Sequence, residues 1–296
     1  MRISRGSLVT VVAVLALAAI LGSACAAPVV TPAPPPTQEA NLAPVISKVT
    51  ANPASLVQGN STTITCVAAD PDDDPLTYTW TASDGIVTGT GSQVTWVSPK
   101  KPGDFSIGVT VNDNRGSQTT GSVTVSILAP TKTVTLNPIP SETGTVNQRN
   151  ATDYSKTMAG DNAQGLGLRA FWSFDISDLA GKDIQNASLK FTTGNISGSP
   201  FAYAPPTGLG GLLLWQDTYG NSLPVYGYEG SKLIGTGLFY DSPTVVDVST
   251  QLKLLSSHGV NRFQVEALFT RSSNGDTTTN YVEWSSVVLE VTYAVE

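Results

Sequence analysis

The sequence contains one histidine and two cysteines, and only 13% of its residues are charged. The single histidine, His258, argues against paired-histidine motifs and most zinc sites. The sequence also lacks a Gly-x-Ser-x-Gly nucleophile elbow and a phosphate-binding loop. Charged residues make up about a quarter of an average domain. Here Ser, Thr, Gly and Asn supply the polar positions instead, and this composition favours turns and β-strands.

The first 25 residues have the layout of an export signal. Arg2 and Arg5 precede an apolar run from Leu8 to Leu21, which is too short for a membrane span of about 20 residues. Small residues and Cys25 follow, a pattern that resembles bacterial lipoprotein signals, in which the cysteine carries lipid. We therefore expect residues 1–24 to be a signal peptide and Cys25 to be lipidated at the cell surface. Ordinary cleavage next to Cys25, which would secrete the protein, is the alternative.

The mature protein is predicted to be acidic. Removing residues 1–24 takes away Arg2 and Arg5, which leaves 14 Lys and Arg against 23 Asp and Glu, a net charge of −9. This charge argues against nucleic acid as a partner and against electrostatic docking on anionic lipid. Contact with the membrane is expected only through the N-terminal lipid.

Residues 25–43 are rich in proline and are predicted to form an extended tether. At about 3.1 Å per residue, a chain of this length reaches on the order of 55 Å. A tether of this kind can hold a domain clear of a lipid surface.

Short runs of alternating apolar and polar residues fill positions 44–128. Period-two alternation is typical of half-buried strands, and about seven strands in this length indicate an immunoglobulin-like β-sandwich. Cys66 is predicted to be a buried core thiol, because a Cys25–Cys66 disulfide would tie the tether to a core strand. The predicted inward positions are Ile64, Cys66, Ala68, Leu76, Tyr78, Trp80, Ile107, Val109, Val111, Val123, Val125 and Ile127.

Two stretches of this region resemble bacterial PKD domains and related Ig-like repeats. The stretch from Ala69 to Trp80 resembles their second and third strands, and the stretch from Gly103 to Asp113 resembles their penultimate strand. After Trp80 the chain reads Thr-Ala-Ser-Asp-Gly, where the PKD signature is Asp-Phe-Gly-Asp-Gly. The packing that this resemblance implies places Trp80 over Cys66.

Residues 131–296 are predicted to form a second, larger β-sandwich, most simply a jelly roll. One short helix is expected, with Ser249 as its cap, Leu252 and Leu255 facing inward, and Gly259 at its end. The predicted strands are Val134–Leu136, Arg169–Phe174, Ala187–Thr192, Gly211–Trp215, Thr244–Val248, Asn261–Phe269 and Val282–Tyr293.

The segments Leu168–Leu179 and Ile184–Phe191 resemble the DNRLRE-type jelly rolls of bacterial and archaeal surface proteins. Those domains run as a strand, a Phe-Asp-x-Ser-x-Leu turn and an x-x-Ala-x-Leu strand. Residues 246–252 and 289–293 match the short helix and last strand of that family, whereas residues 194–240 do not follow its pattern. The resemblance implies a surface protein.

Acidic residues are predicted to converge at one tip of the first sandwich, in two loops at the same end of the fold. Ca²⁺ takes six to eight oxygen ligands in flexible geometry, so these residues are candidate Ca²⁺ ligands. The alternative is turn chemistry, since Asp side chains also bond nearby backbone N–H groups. The candidate ligands are Asp70, Asp72, Asp73, Asp74 and Asp113.

Aromatic residues crowd into the Gly- and Pro-rich segment 201–240. Flat aromatic faces beside hydrogen-bonding groups suit sugar rings, whereas the alternative places Trp215 and Phe239 in the core and the tyrosines over loops. The candidate glycan-binding residues are Tyr203, Trp215, Asp217, Tyr219, Tyr226, Tyr228 and Glu229.

Three functions follow from these patterns. The first is a non-enzymatic surface binding or adhesion protein, whose PKD/Ig-like spacer presents a jelly roll that binds glycan or another surface protein. The second is a carbohydrate-active hydrolase or lyase using acids such as Asp217 and Glu229, because a glycosidase needs only two carboxylates. The third is a structural component of an extracellular filament or outer layer.

Overall fold

The structure, a computed structural model, describes residues 40–202, 208–227, 232–234 and 237–295. Residues 42–296 form one compact unit. The predicted signal peptide, Cys25, most of the tether, and the candidate residues Tyr203, Tyr228 and Glu229 lie outside the described residues. No helix in these described ranges is long and apolar enough to cross a membrane.

The described chain has eight strands between Val45 and Leu128, which form two four-stranded sheets. One sheet has the order β1-β3-β6-β5 and the other has the order β2-β8-β7-β4. All neighbours are antiparallel except β2 and β8, which are parallel. The strands are β1 (Val45–Asn52), β2 (Ser55–Val57), β3 (Ser61–Ala69), β4 (Thr77–Ala82), β5 (Ile86–Thr88), β6 (Gln93–Val97), β7 (Gly103–Asn112) and β8 (Gln118–Leu128).

Alternating side chains from both sheets fill the core of this first sandwich. Cys66 is a buried free thiol, as predicted, and burial raises its pKa. Trp80 is half-buried and packs against the cluster formed by Cys66, Val109 and Val111. The central aromatic residue is instead Trp96, which is fully buried and donates its indole N–H to the Asp84 carbonyl at 2.9 Å.

Eleven further strands occur in the described chain after Ala129. Short 3₁₀ turns lie at Pro140–Glu142 and Ser177–Leu179, and helix α1 spans Ser249–Ser257. The strands are β9 (Thr131–Leu136), β10 (Gly144–Asn147), β11 (Thr152–Asp153), β12 (Thr157–Asp161), β13 (Gly167–Asp175), β14 (Ile184–Ser197), β15 (Leu212–Asp217), β16 (Lys232–Leu233), β17 (Val245–Asp247), β18 (Arg262–Phe269) and β19 (Asn280–Ala294).

These strands form two halves that share one core. The β13 half has the order β11-β10-β13-β18-β15-β16, and the β19 half has the order β12-β19-β14-β17, with β9 also paired to β19. The β12–β13 hairpin joins the halves through Gly160, where a side chain would collide with the Asn280 carbonyl. Trp172 from the β13 half meets Trp284 from the β19 half, with ring centroids 5.2 Å apart. The chain is therefore all-β, with an Ig-like sandwich followed by a larger β domain.

Helix α1 follows the prediction except at its start. Leu252 and Leu255 are buried in the main core, and Gly259 has a φ of +65° directly after the helix. The prediction that Ser249 caps the helix is wrong, because Ser249 is the first helical residue and the residue before it makes no side-chain cap bond. The Ser249 hydroxyl instead bonds to Asp247 and to the backbone of Ala187 in β14. It therefore ties the helix start to the sheet.

Candidate functional site

The acidic loop of the first sandwich lies between β3 and β4. Asp70, Asp72 and Asp74 each place one carboxylate oxygen within 4.8 Å of the others. Asp73 is exposed at the turn with a φ of +60° and is not part of this group. Asp113 is fully buried and accepts hydrogen bonds from the backbone N–H groups of residues 115 and 117. Three of the five predicted Ca²⁺ ligands therefore lie together.

The second candidate site is the outer face of the β13 half. Along β13 the residues Ala170, Trp172 and Phe174 enter the main core, so the alternating residues point to the opposite side. Strand register places these opposite residues in two cross-strand rows. The rows, which we name the outer face, are Phe171–Glu266–Trp215 and Ser173–Gln264–Asp217.

The loop after β15 covers part of the outer face. Tyr219 packs edge-on against Phe171, with ring centroids 5.4 Å apart, and donates its hydroxyl to the Glu142 carbonyl at 2.8 Å. The Gln264 side chain accepts from the Tyr219 N–H at 2.8 Å and donates to the Gly220 carbonyl at 2.6 Å. These contacts fix Tyr219 in place over Phe171. Burial raises the pKa of the Tyr219 hydroxyl.

Buried charges beneath this cover are paired. Glu142 accepts hydrogen bonds from Arg262 at 3.1 Å and from the Ser173 hydroxyl at 2.6 Å. Arg169 bonds to the buried Glu266 at 2.8 Å, and its guanidinium lies 4.7 Å from the ring centre of Tyr226. Tyr226 therefore packs on Arg169, which is paired with Glu266 of the outer face.

Asp217 differs from its neighbours because, among the described residues, neither of its carboxylate oxygens has a hydrogen-bond partner. The residue is only 2% exposed. Desolvation raises its pKa to about 7, and the positive charge of Arg169 opposes this shift in part. A buried polar group without a partner is unfavourable and calls for an explanation.

The structure brings four of the seven predicted glycan-binding residues to this region, namely Trp215, Asp217, Tyr219 and Tyr226. Trp215 and Asp217 lie on the same face of β15, and Trp215 is half-buried. Phe239, which the alternative placed in the core, packs against the main core.

Sequence reasoning missed the charged residues of this region. Glu142, Arg169, Arg262, Gln264 and Glu266 come from three separate parts of the chain. A usable signal existed in β18, where Gln264 and Glu266 interrupt an otherwise apolar run.

A separate cleft of about 320 Å³ opens beside β12 and β19. Tyr154 lines it and is 49% exposed, and Lys156 lies 3.7 Å from Glu283 at its wall. This cleft provides an exposed aromatic ring on the same domain that does not belong to the outer face.

His258 lies directly after α1 and is exposed. Its Nδ1 atom is 2.8 Å from the Leu254 carbonyl, within the last turn of the helix. His258 is therefore an exposed residue at the helix end.

Residues 47–126 match the family model of the PKD domain. The match confirms the predicted nature of the first sandwich and stops before the larger domain. A search of curated proteins gives no match to this chain.

Solved structures offer distant likenesses only. A nucleoside hydrolase-related hypothetical protein from Saccharophagus degradans is 22% identical, with coverage of 30% of this chain and 26% of that chain and a TM-score of 0.23. A carbohydrate-binding module from the β-sandwich superfamily is 13% identical to this chain, with a TM-score of 0.32. The similarity covers 87% of this chain and 94% of the module. The adhesin InvE of Yersinia pseudotuberculosis is 14% identical to this chain, with a TM-score of 0.25. The similarity covers 80% of this chain and 59% of the adhesin. The chain thus spans about a quarter of the first protein and less than two thirds of the adhesin, and none of these likenesses bears on function.

Proposed function

We propose that this is an exported binding protein whose larger β domain binds carbohydrate through the outer face. In this proposal lipid on Cys25 anchors the chain at the cell surface, residues 25–43 form the tether, and the PKD sandwich is the spacer. The outer face then lies far from the anchor along the chain.

The observation that supports this proposal is the position of Asp217 beside Trp215. The carboxyl oxygens of Asp217 have no partner in the described part of the chain, so they can accept hydrogen bonds from the hydroxyl groups of a sugar. The Trp215 ring offers an apolar surface for the C–H face of the same sugar. Because Asp217 is 2% exposed, binding requires the side chains above it to move aside.

The test is calorimetric titration of the full chain against a panel of glycans. Trp215→Ala and Asp217→Asn should each weaken the binding of the responsive glycan by tenfold or more, as for central contact residues. Tyr154→Ala is the matched control, because it removes an aromatic ring from the separate cleft.

Two outcomes would reject the proposed site. If no glycan binds to the folded protein, the outer face is not a carbohydrate site, and a surface protein becomes the partner to seek. If Tyr154→Ala abolishes binding while Trp215→Ala does not, the cleft and not the outer face holds the glycan.

The second candidate function is glycoside hydrolysis, which the raised pKa of Asp217, about 7, favours. An acid with a pKa near the working pH is suited to proton transfer. However, Glu266 on the outer face and Glu142, which bonds to Ser173 of that face, are each paired with an arginine. Release of reducing ends from the same panel, lost in Asp217→Asn, would replace the binding function with this one.

A further inference from the structure

We propose that Asp70, Asp72 and Asp74 form a Ca²⁺ site in the PKD sandwich, at the loop between β3 and β4. This inference does not depend on carbohydrate binding, because the loop belongs to the other sandwich. It rests on the geometry of the three carboxylates and on two buried oxygen atoms that have no partner.

The spacing of the three carboxylates fits one ion. Ca²⁺ binds oxygen at about 2.3–2.6 Å, so two ligands on opposite sides of the ion lie about 5 Å apart. One oxygen from each of Asp70, Asp72 and Asp74 lies within 4.8 Å of the other two. All three can therefore contact the same ion.

The second observation is the burial of Asp70 and Asp74, whose side chains belong to residues that are only 8% and 6% exposed. Their Oδ2 atoms are both buried and have no hydrogen-bond partner within the described ranges. Their Oδ1 atoms are used, since Asp70 accepts from the Asp72 N–H at 2.9 Å and Asp74 accepts from Arg115 at 2.8 Å. A bound cation would satisfy the two remaining oxygens, which no donor of the described chain reaches.

The charge of the loop also favours a divalent cation. Among the described residues, one ion pair reaches the three carboxylates, from Arg115 to Asp74. An excess of negative charge therefore remains at the site. An all-oxygen donor set suits Ca²⁺, which accepts flexible geometry, better than Mg²⁺, which demands a near-ideal octahedron. It also suits Ca²⁺ better than Zn²⁺, which favours nitrogen and sulfur.

The site would also fix the start of the sandwich. Asp72 Oδ2 accepts a hydrogen bond of 2.7 Å from the backbone N–H of Leu42. Leu42 lies at the end of the Pro-rich segment, before β1. An ion held by Asp72 would therefore order both the loop and the point where the tether enters the domain.

The test is calorimetric titration of CaCl₂ into the metal-free full chain. We expect a dissociation constant on the order of 10⁻⁴–10⁻³ M, as in other extracellular modules. Asp72→Asn and Asp70→Asn should each weaken binding by tenfold or more, and Mg²⁺ should bind more weakly than Ca²⁺.

Asp73→Asn is the matched control. It removes the same charge from the same loop, but Asp73 is exposed and outside the group, and asparagine tolerates its φ of +60°. This variant should keep the wild-type affinity.

Asp72 is exposed, so Asp72→Asn should fold, and circular dichroism checks that it does. Absence of Ca²⁺ binding to the folded wild type at about 10 mM, well above the expected constant, would overturn the proposal. An equal loss of affinity in Asp73→Asn and Asp72→Asn would also overturn the proposal. The Ca²⁺ affinity would then depend on the net negative charge of the loop and not on direct contact with Asp72.

Discussion

Replacing Asp217 with asparagine should stabilise the larger domain increasingly as pH rises above 3.8 and leave its stability nearly unchanged at lower pH. The folded protein holds the proton on Asp217 with a pKa of about 7, whereas the ordinary value is 3.8. Between these two values the unfolded chain releases the proton and the folded chain keeps it, so stability falls as pH rises. Above the pKa of Asp217 in the folded protein, this carboxyl is ionised in both the folded and the unfolded chain. The loss of stability therefore levels off.

The size of this effect follows from the difference in proton affinity. A shift of the pKa from 3.8 to about 7 corresponds to at most about 4 kcal/mol, at about 1.4 kcal/mol per pKa unit. By the same relation, about 1.5 kcal/mol of this unfolding free energy is already lost at pH 5. Nearly all of the roughly 4 kcal/mol is lost at pH 8.5. The wild type should therefore lose about 2.5 kcal/mol more than Asp217→Asn between these two pH values.

The assay is urea unfolding of the wild type and of Asp217→Asn at pH 5 and pH 8.5. Comparing the two proteins cancels the titration of the other groups that they share. Asp178→Asn, which removes an exposed carboxylate from the same domain, is the control and should show the wild-type pH dependence. If Asp217→Asn shifts stability equally at both pH values, Asp217 is not a buried, unpaired acid and the reasoning fails.

Two further predictions concern the core and the anchor. Trp96→Ala should lower the unfolding free energy by about 3–5 kcal/mol. The loss should exceed that of Trp80→Ala, because Trp96 is fully buried and Trp80 is half-buried. Equal losses in thermal or urea unfolding would contradict this order. Cys25→Ser should abolish incorporation of labelled fatty acid in a bacterial host and release the protein from the membrane fraction, and retention of the label would refute lipidation at Cys25.

The sequence predicted the strands of both domains where one face of a strand is buried. In β3 and β7 the apolar side chains alternate with Thr, Ser and Gly, so period two is visible in the sequence itself. The same signal is present in β6, where Val94 and Trp96 alternate with Gln93 and Thr95, although neither residue is among the inward positions predicted above.

The outer face could be predicted only in part. The aromatic segment led to Trp215 and Asp217, because its composition is unusual. The pairing of Glu142 with Arg262 joins residues 120 positions apart, and no local pattern in one sequence indicates such a contact. Likewise, Asp73 and Asp74 look equivalent in sequence, yet the turn exposes one and buries the other.

The central claim, carbohydrate binding at the outer face, is tested most directly by comparing two variants against the glycan panel. The account predicts that the glycan bound by the wild-type chain is no longer bound by Trp215→Ala and is still bound by Tyr154→Ala. Binding that survives Trp215→Ala unchanged, or a folded wild type that binds no glycan, would contradict it.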